Sequence, residues 1–244
     1  RIQIEQPIGG NIMKCIGIIG AMEIEVNRLK EKVKNCSVET VAGMAFYKGL
    51  YGNTPVVIVR SGIGKVNAAI CTQILVDRYH ITAVINTGIA GGLYHKIHIG
   101  DIVIATEALQ HDMDARGFGY KLGEIPQMDT SLFNADTVLR KMAAEICRRV
   151  NPDIQVYEGR VVSGDCFVSD SDKKEMLWQE FQGYCTEMEG AAIAQAAYLN
   201  RIPYLIIRAI SDQADGKASV DYSTFESKAA EHSVNLVDAL LQEI

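Results

Sequence analysis

The stretch Pro55-Val56-Val57-Ile58-Val59-Arg60-Ser61-Gly62-Ile63-Gly64-Lys65 decides the fold of this chain. Its continuously apolar first half predicts a strand that is covered on both faces, because a strand with one wet face would alternate apolar and polar residues. Two glycines then precede a helical pattern that begins at Lys65. A buried strand that turns through glycine into a helix is the repeating unit of α/β folds.

The same unit recurs along the chain, for example in the apolar run Leu205-Ile206-Ile207. The patterns predict strands at residues 14–20, 45–51, 55–60, 83–87, 101–108, 155–163, 183–187 and 204–210. They predict helices at residues 23–33, 65–79, 131–150, 171–181, 189–200 and 224–241. Without a low-complexity linker or an internal repeat, the sequence predicts an α/β fold with a single domain. We expect three layers, α/β/α, around a central mixed, largely parallel twisted sheet.

Composition excludes several classes of protein. The chain has 244 residues and a formal net charge of −6, which argues against nucleic-acid binding because such proteins show a basic surface. No apolar run approaches the roughly 20 residues that span a bilayer, so we expect no membrane association. The six cysteines are scattered and contain no C-x-x-C pair, which favours a reducing, cytoplasmic location over a disulfide scaffold.

The first residues do not resemble a targeting segment. Residues 1–12 lack the basic start and apolar stretch of a secretory signal peptide. Met13 begins the first strand-like run and looks like a natural start. We therefore expect an N-terminal extension at 1–12, native or cloning-derived, and one catalytic domain at 13–244.

Glycines cluster where predicted strands end, which indicates a ligand site at that edge of the sheet. The segment Ser61-Gly62-Ile63-Gly64-Lys65-Val66 is not a phosphate loop, since it lacks the first glycine and has Val66 where a metal-binding Ser or Thr is needed. It also lacks the third glycine of a dinucleotide fingerprint. No histidine or carboxylate spacing matches a known metal site, so we expect neither metal nor cofactor.

Three acidic segments follow predicted strands. In the first, Glu23 and Glu25 would lie about 200° apart on a helix, and Glu25 shares the apolar face with Met22 and Leu29. Burying a carboxylate on an apolar face costs folding free energy unless the group is paired. We therefore expect Glu25 to have a partner or a function. In the other two segments, 186–192 and 208–212, helix or turn capping remains open as an alternative role for the polar residues.

As an ordered set, these segments resemble the 5′-methylthioadenosine/S-adenosylhomocysteine nucleosidases, whose fold is nucleoside phosphorylase-like. The resemblance runs from about Met13 to the C-terminus. The matching motifs are residues 13–26, Ser61-Gly62-Ile63-Gly64-Lys65-Val66, Asn86-Thr87-Gly88, Ala90-Gly91-Gly92, Phe118-Gly119-Tyr120, Ser163-Gly164-Asp165 with Phe167, Glu187-Met188-Glu189 and Arg208-Ala209-Ile210-Ser211-Asp212.

The resemblance implies a hydrolase that releases adenine from 5′-methylthioadenosine and S-adenosylhomocysteine, with 5′-deoxyadenosine as a further substrate. It implies that Glu25 activates the attacking water and that Asp212 protonates the leaving base at N7, through an oxocarbenium-like transition state. Ser211 and Arg208 would lie beside Asp212.

By the same match, Glu189 accepts hydrogen bonds from the ribose hydroxyls, and Glu187 and Met188 lie at the sugar. Phe167 would stack on adenine, and the backbone of Val168 would contact its edge. The remaining implied contacts concern the 5′ substituent. Met22, Ile63 and Tyr222 would form its apolar pocket, and a second subunit would supply Ala115, Phe118 and Pro126, which implies a homodimer.

One position departs from the family pattern. Ile89 stands where the family has serine, and in related nucleoside phosphorylases a serine near this site helps to hold phosphate. Ile89 offers no hydroxyl, and Glu25 would repel phosphate, so both residues favour water as the nucleophile. The open alternatives are a purine nucleoside phosphorylase, a futalosine-type hydrolase, or a nucleoside-binding protein without turnover.

Overall fold

The computed structural model describes residues 15–244. The expected extension at 1–12 and the start of the first predicted strand lie outside the described residues. The strands are β1 (Ile16–Gly20), β2 (Lys34–Val41), β3 (Met44–Tyr51), β4 (Thr54–Arg60), β5 (Ala83–Gly92), β6 (Ile102–Gln110), β7 (Phe133–Asn134), β8 (Val156–Ser163), β9 (Gly183–Glu187) and β10 (Tyr204–Asp212). The helices are α1 (Asn27–Glu31), α2 (Lys65–Tyr79), α3 (Thr137–Val150), α4 (Ser171–Phe181), α5 (Gly190–Asn200) and α6 (Ala218–Glu243).

The strands form one mixed sheet in the order β10-β6-β8-β9-β5-β1-β4-β3-β2, with β7 paired to β6. The neighbours β4, β1, β5 and β10 run parallel. Strand β5 also pairs antiparallel with β9 through Gly91 and Gly92. Because β10 contacts both β5 and β6, the strands β5, β10, β6, β8 and β9 close into a ring. The mixed sheet is confirmed, although antiparallel pairs are more numerous than we expected.

Helices cover both faces of the sheet, which confirms the three layers. Along β4, Val56 and Ile58 belong to the core shared with α3 and α6, whereas Val57 and Val59 belong to the core shared with α2 and α5. All four side chains are fully buried. The prediction that this strand is covered on both faces is therefore confirmed, because each face packs against helices.

The sequence did not predict β2, whose side chains are nearly all exposed. It pairs only with β3, at the edge of the sheet, so no apolar alternation marks it. The helix predicted at 131–150 begins later, at Thr137, where the Asp136 side chain accepts hydrogen bonds from the N–H groups of Val138 (3.0 Å) and Leu139 (2.9 Å).

The predicted helix at 23–33 is also interrupted. Residues Glu23–Glu25 form a 3-10 turn, and Val26, at φ −133°, separates this turn from α1. Across residues 15–244, no helix combines the length and the apolar character needed to cross a membrane.

Candidate active site

A cavity of about 500 Å³ opens where β1, β5, β9 and β10 end. This is the edge of an α/β sheet at which ligands bind, and the volume suits a nucleoside-sized molecule. The predicted residues that line the cavity are Met22, Glu25, Ile63, Ile89, Phe167, Glu187, Met188, Glu189, Ser211, Asp212 and Tyr222. The structure therefore brings together side chains as far apart in the chain as Met22 and Tyr222, which are separated by 200 positions.

Glu25 is buried, with 3% of the residue exposed. Its Oε2 accepts hydrogen bonds from the N–H groups of Ala21 (2.7 Å) and Met22 (2.9 Å), and its Oε1 accepts one from Ile89 N–H (3.1 Å). Burial raises its pKa, against the opposing charge of Arg208 and these backbone donors. Glu23, by contrast, is exposed and pairs with Lys30. The contrast between the two glutamates is as predicted, although it arises from a 3-10 turn.

Gly88 makes room for the Glu25 carboxylate. A Cβ at position 88 would lie 2.7 Å from Oε1 of Glu25 and 3.0 Å from Nη1 of Arg208. Gly91, three residues along β5, does the same for Asp212, whose Oδ1 would lie 2.9 Å from a Cβ there. Three residues of strand span roughly 10 Å, so β5 supports the two proposed catalytic carboxylates at two separate points.

Arg208 is not where we expected it. Its guanidinium is buried and forms an ion pair with Glu187, and it also donates to Oδ1 of Asn86 at 2.5 Å. A further carboxylate oxygen, of Glu189, lies 4.0 Å away. Arg208 thus lies among Glu187, Glu189 and Glu25 rather than beside Asp212, which corrects the prediction. The reason is strand geometry: successive side chains alternate sides, and Arg208 lies four residues before Asp212 on a strand whose register shifts just before Asp212.

Glu187 holds the start of α5. Its Oε2 accepts hydrogen bonds from the N–H groups of Glu189 (3.1 Å) and Gly190 (2.8 Å), and Ser163 donates to its Oε1. Burial disfavours the charged form, but the charge of Arg208 and these donors outweigh it, so the pKa lies below its usual range. The capping reading is therefore correct for Glu187, which also lines the cavity.

Glu189 is held differently. It occupies the N-cap position of α5 without a side-chain capping bond. Its Oε1 instead accepts a 2.8 Å hydrogen bond from Gly64 N–H, which crosses from the loop before α2. Burial, and then the charge of Glu187, raise its pKa to about 8. The protonated form of Glu189 is thus favoured relative to that of an exposed glutamate.

Asp212 ends β10 and is 2% exposed. Ser211 Oγ donates to its Oδ2 at 2.8 Å, and Ala214 N–H donates to its Oδ1 at 2.8 Å. The predicted contact with Ser211 is thus present. Burial raises the pKa of Asp212 against these two donors. A nucleoside that displaced water from the cavity would raise it further, because desolvation disfavours the charged form.

Apolar side chains form the rest of the wall. The ring of Tyr222 meets that of Phe167 edge-on at 5.8 Å, and its hydroxyl lies 3.2 Å from Sδ of Met22. Val168 lines a smaller recess that adjoins the cavity and shares Phe167 with it. The cavity thus has an apolar part and a carboxylate-bearing part.

The three residues expected from a second subunit lie outside this cavity. Ala115 is buried in its own chain, Pro126 is half-buried, and Phe118 is 87% exposed.

Sequence reasoning missed three polar groups that hold the site together. Asn86 accepts from Arg208, Ser163 donates to Glu187 and accepts from Ala191 N–H (2.7 Å), and Gly64 N–H binds Glu189. Asn86 and Ser163 belong to quoted motifs, and their signal was a polar residue inside an otherwise apolar strand. Such residues need a buried partner.

In the described part of the chain, no three His, Cys, Asp or Glu side chains are arranged to hold a metal ion. The carboxylates of the cavity are occupied by backbone N–H groups, hydroxyls and Arg208. The site can therefore bind a polar ring, orient a water and exchange protons through its own side chains.

Comparison with known proteins agrees with this geometry. A model of the phosphorylase superfamily matches residues 15–242. The 5′-methylthioadenosine/S-adenosylhomocysteine nucleosidase of Bacillus cereus (strain B4264) is 43% identical over 230 residues, which cover 94% of this chain and 99% of that protein.

Solved structures give the same result. The Neisseria meningitidis 5′-methylthioadenosine/S-adenosylhomocysteine nucleosidase, in complex with methylthio-immucillin-A, has a TM-score of 0.91 at 37% identity, covering 95% of this chain and 100% of that chain. The futalosine hydrolase of Helicobacter pylori strain 26695 has a TM-score of 0.90 at 31% identity, covering 96% and 99%. The chain therefore belongs to the phosphorylase superfamily and, within it, to the family of the 5′-methylthioadenosine/S-adenosylhomocysteine nucleosidases.

Proposed function

We propose that this protein hydrolyses the N-ribosidic bond of 5′-methylthioadenosine and S-adenosylhomocysteine and releases adenine, with 5′-deoxyadenosine as a further substrate. Family membership supports this proposal, as does the Neisseria relative in complex with methylthio-immucillin-A. The features of the cavity supply a physical reason for each step.

The attacking water is assigned to Glu25. A general base must be ionised and must reach the proton it removes. The three backbone N–H donors keep the Glu25 carboxylate in one orientation, and its burial raises its basicity above that of an exposed glutamate. Glu25 therefore suits the removal of a proton from water as the ribosyl cation develops.

Protonation of the leaving base is assigned to Asp212. Adenine is a poor leaving group as an anion, so its N7 must receive a proton as the bond breaks. The pKa of Asp212 is raised by burial, which favours the protonated acid. Ser211 and the N–H of Ala214 each hold one carboxyl oxygen, so the carboxyl group has a defined direction.

The observation that carries hydrolysis rather than phosphorolysis is the charge of the cavity. Arg208 is surrounded by three carboxylates, those of Glu25, Glu187 and Glu189. Arg208 is already paired with Glu187, and none of the described residues that line the cavity is a lysine, an arginine or a histidine. These residues therefore offer phosphate no free positive charge, and the acidic side chains among them suit a cationic transition state. Ile89 adds no hydroxyl that could hold phosphate.

The remaining contacts follow the family match. We assign the ribose hydroxyls to Glu189, the sugar face to Met188, and adenine to the ring of Phe167 and the backbone of Val168. Met22, Ile63 and Tyr222 form an apolar wall suited to a thioether. We assign Glu187 and Arg208 to positioning, because their polar atoms bond to protein groups.

We also propose a homodimer in the cytoplasm. Val66 and Ile70 lie one turn apart on α2 and are 68% and 44% exposed, and Phe118 is 87% exposed. Neighbouring apolar side chains that are exposed on one helix face are a feature of interfaces. In a dimer, Ala115, Phe118 and Pro126 would complete the partner's cavity. The cytoplasmic location is supported by the free state of all six cysteines.

The proposal is tested by adenine release from methylthioadenosine in phosphate-free buffer. We expect release without phosphate and no stimulation when phosphate is added. Release that depends on phosphate would identify a phosphorylase instead. Futalosine is assayed in parallel because a futalosine hydrolase shares the fold at 31% identity, and a clear preference for futalosine would overturn the assigned substrates. Binding without turnover of any of these nucleosides would contradict hydrolysis altogether.

A further inference from the structure

The segment that resembles a phosphate loop binds the protein's own carboxylates. Gly64 N–H donates to Oε1 of Glu189 at 2.8 Å, and Lys65 N–H donates to Oδ1 of Asp165 at 2.8 Å. These groups belong to the first turn of α2, where N–H donors lack partners within the helix. The loop therefore presents an anion-binding surface, and Glu189 and Asp165 occupy it.

Asp165 and Lys65 are joined a second time through Asp112. Lys65 Nζ lies 2.6 Å from Oδ1 of Asp112, and Asp165 N–H donates to Oδ2 of Asp112 at 2.9 Å. Lys65 Nζ also donates to Oε1 of Gln110 at 2.9 Å. The three residues Lys65, Asp112 and Asp165 thus form a closed set of hydrogen bonds, which we call the clasp.

The clasp is partly protected from water. The side chains of Lys65 and Asp112 are 17% and 28% exposed. Burial disfavours the charge on Asp112, but the hydrogen bonds from Lys65 and Asp165 outweigh it and lower its pKa. Gly64 has φ +99°, and a Cβ there would lie 3.1 Å from Oδ1 of Asp165. The clasp therefore packs closely against the loop at Gly64, where a side chain would crowd Asp165.

We propose that Lys65 and Asp112 are positioning residues for ribose recognition, acting through Gly64 on Glu189. The clasp fixes the loop so that Gly64 N–H holds one oxygen of Glu189. The other oxygen then has a single direction in which to form a hydrogen bond with the ribose hydroxyls. This inference rests on the proposed function, because it takes the ribose contact of Glu189 from there.

A double-mutant cycle with Lys65→Met and Glu189→Gln tests the coupling. We expect Lys65→Met alone to lower kcat/KM for methylthioadenosine by about tenfold, the size of one lost charge-assisted hydrogen bond. In the Glu189→Gln background, the same substitution should have little further effect. Effects that multiply independently would overturn the proposal.

The 2′-deoxy analogue of methylthioadenosine gives a second readout, which a general loss of structure would not produce. We expect Lys65→Met to impair the analogue less than methylthioadenosine, because the analogue lacks one of the hydroxyls that Glu189 contacts. Equal losses on both substrates would contradict a role in ribose recognition. If Lys65→Met does not fold, kcat/KM of Asp112→Asn is measured instead on methylthioadenosine and on its 2′-deoxy analogue.

Lys32→Met is the matched control. Lys32 forms an equally direct pair with Asp238, at 2.8 Å, and neither residue lines the cavity. This variant should match the wild type on both substrates. If wild-type protein releases no adenine from methylthioadenosine, the proposed function fails. If the wild-type protein releases adenine but the effects of Lys65→Met and Glu189→Gln on kcat/KM are independent, only the clasp proposal fails.

Discussion

The backbone N–H of Ile89 donates a 3.1 Å hydrogen bond to Oε1 of Glu25, which joins β5 to the turn that follows β1. The isoleucine side chain at the same position lines the cavity and belongs to the apolar core. One residue thus orients the proposed base through its backbone and contributes an apolar side chain to the cavity wall. The departure from serine at this position leaves the backbone contact intact, because that contact needs no particular side chain.

Replacing Glu25 by glutamine should remove the base and leave the fold intact. We expect kcat to fall by roughly two to four orders of magnitude, the usual contribution of a positioned base. Steady-state adenine release and thermal unfolding measure the two effects. The control is Glu23→Gln, two residues away but exposed, for which we expect wild-type kcat. A comparable loss of kcat in both variants would show that any substitution in this turn impairs turnover. It would argue against Glu25 as the general base.

Asp212→Asn should abolish turnover and preserve binding. An amide keeps the size of the side chain but cannot deliver a proton to N7, so we expect kcat to fall by at least about a hundredfold. Calorimetry with methylthioadenosine should give a Kd within about tenfold of the wild-type substrate affinity. Undiminished turnover would refute the assigned acid. Asp153→Asn, at an exposed position, serves as the control.

Gly88→Ala should affect both stability and rate. The new methyl group would meet Oε1 of Glu25 at 2.7 Å and Nη1 of Arg208 at 3.0 Å, both in a buried cluster. Overpacking of this kind costs about 1–3 kcal/mol, measurable by urea unfolding, and a displaced Glu25 lowers kcat. Gly216→Ala, where a Cβ meets nothing within 4 Å, should change neither quantity. A fully active Gly88→Ala protein would contradict the close approach.

The raised pKa of Glu189 predicts a pH-dependent stability. Burial and the charge of Glu187 raise this pKa to about 8, from a usual value of 4.5. Between these values the folded protein holds a proton that the unfolded chain has released, so stability falls as pH rises through this window. Glu189→Gln removes this titration. The difference in free energy of unfolding, wild type minus variant, should therefore decrease from pH 5 to pH 8. A difference that is constant or increases over this range would contradict a proton held on Glu189.

Tyr222→Phe should change selectivity. The hydroxyl lies 3.2 Å from Sδ of Met22 at the apolar end of the cavity, where it offers a polar contact to the homocysteine tail. We expect kcat/KM for methylthioadenosine to stay within about twofold and that for S-adenosylhomocysteine to fall by about two- to tenfold, as for one neutral hydrogen bond. If the ratio of kcat/KM for the two substrates is unchanged, Tyr222 has no role in substrate selectivity.

Periodicity and glycine placement predicted most of the architecture, because buried strands and their turns depend on local sequence. Residues 55–60 illustrate this: their pattern required two covered faces, and both faces are covered. Strand β2 was not predicted because an exposed edge strand needs no apolar pattern.

For the site, helix geometry distinguished Glu25 from Glu23 although the segment is not a continuous helix. The partner of Arg208 could not be inferred in this way. Whether Arg208 pairs with Glu187 or lies beside Asp212 depends on strand direction and register. These are established only when distant segments of the chain pair.

The closed ring of strands bears on the order in which the molecule folds. The hydrogen bond between Arg208 and Asn86 joins residues 122 positions apart, and that between Glu25 and Ile89 joins residues 64 apart. Contacts over such separations form late, since the intervening chain must first give up its freedom. The carboxylate cluster therefore comes into existence only as the ring closes. Before that, a nascent or partly unfolded chain can form only local contacts of these carboxylates, such as those of Glu25 with the N–H groups of Ala21 and Met22.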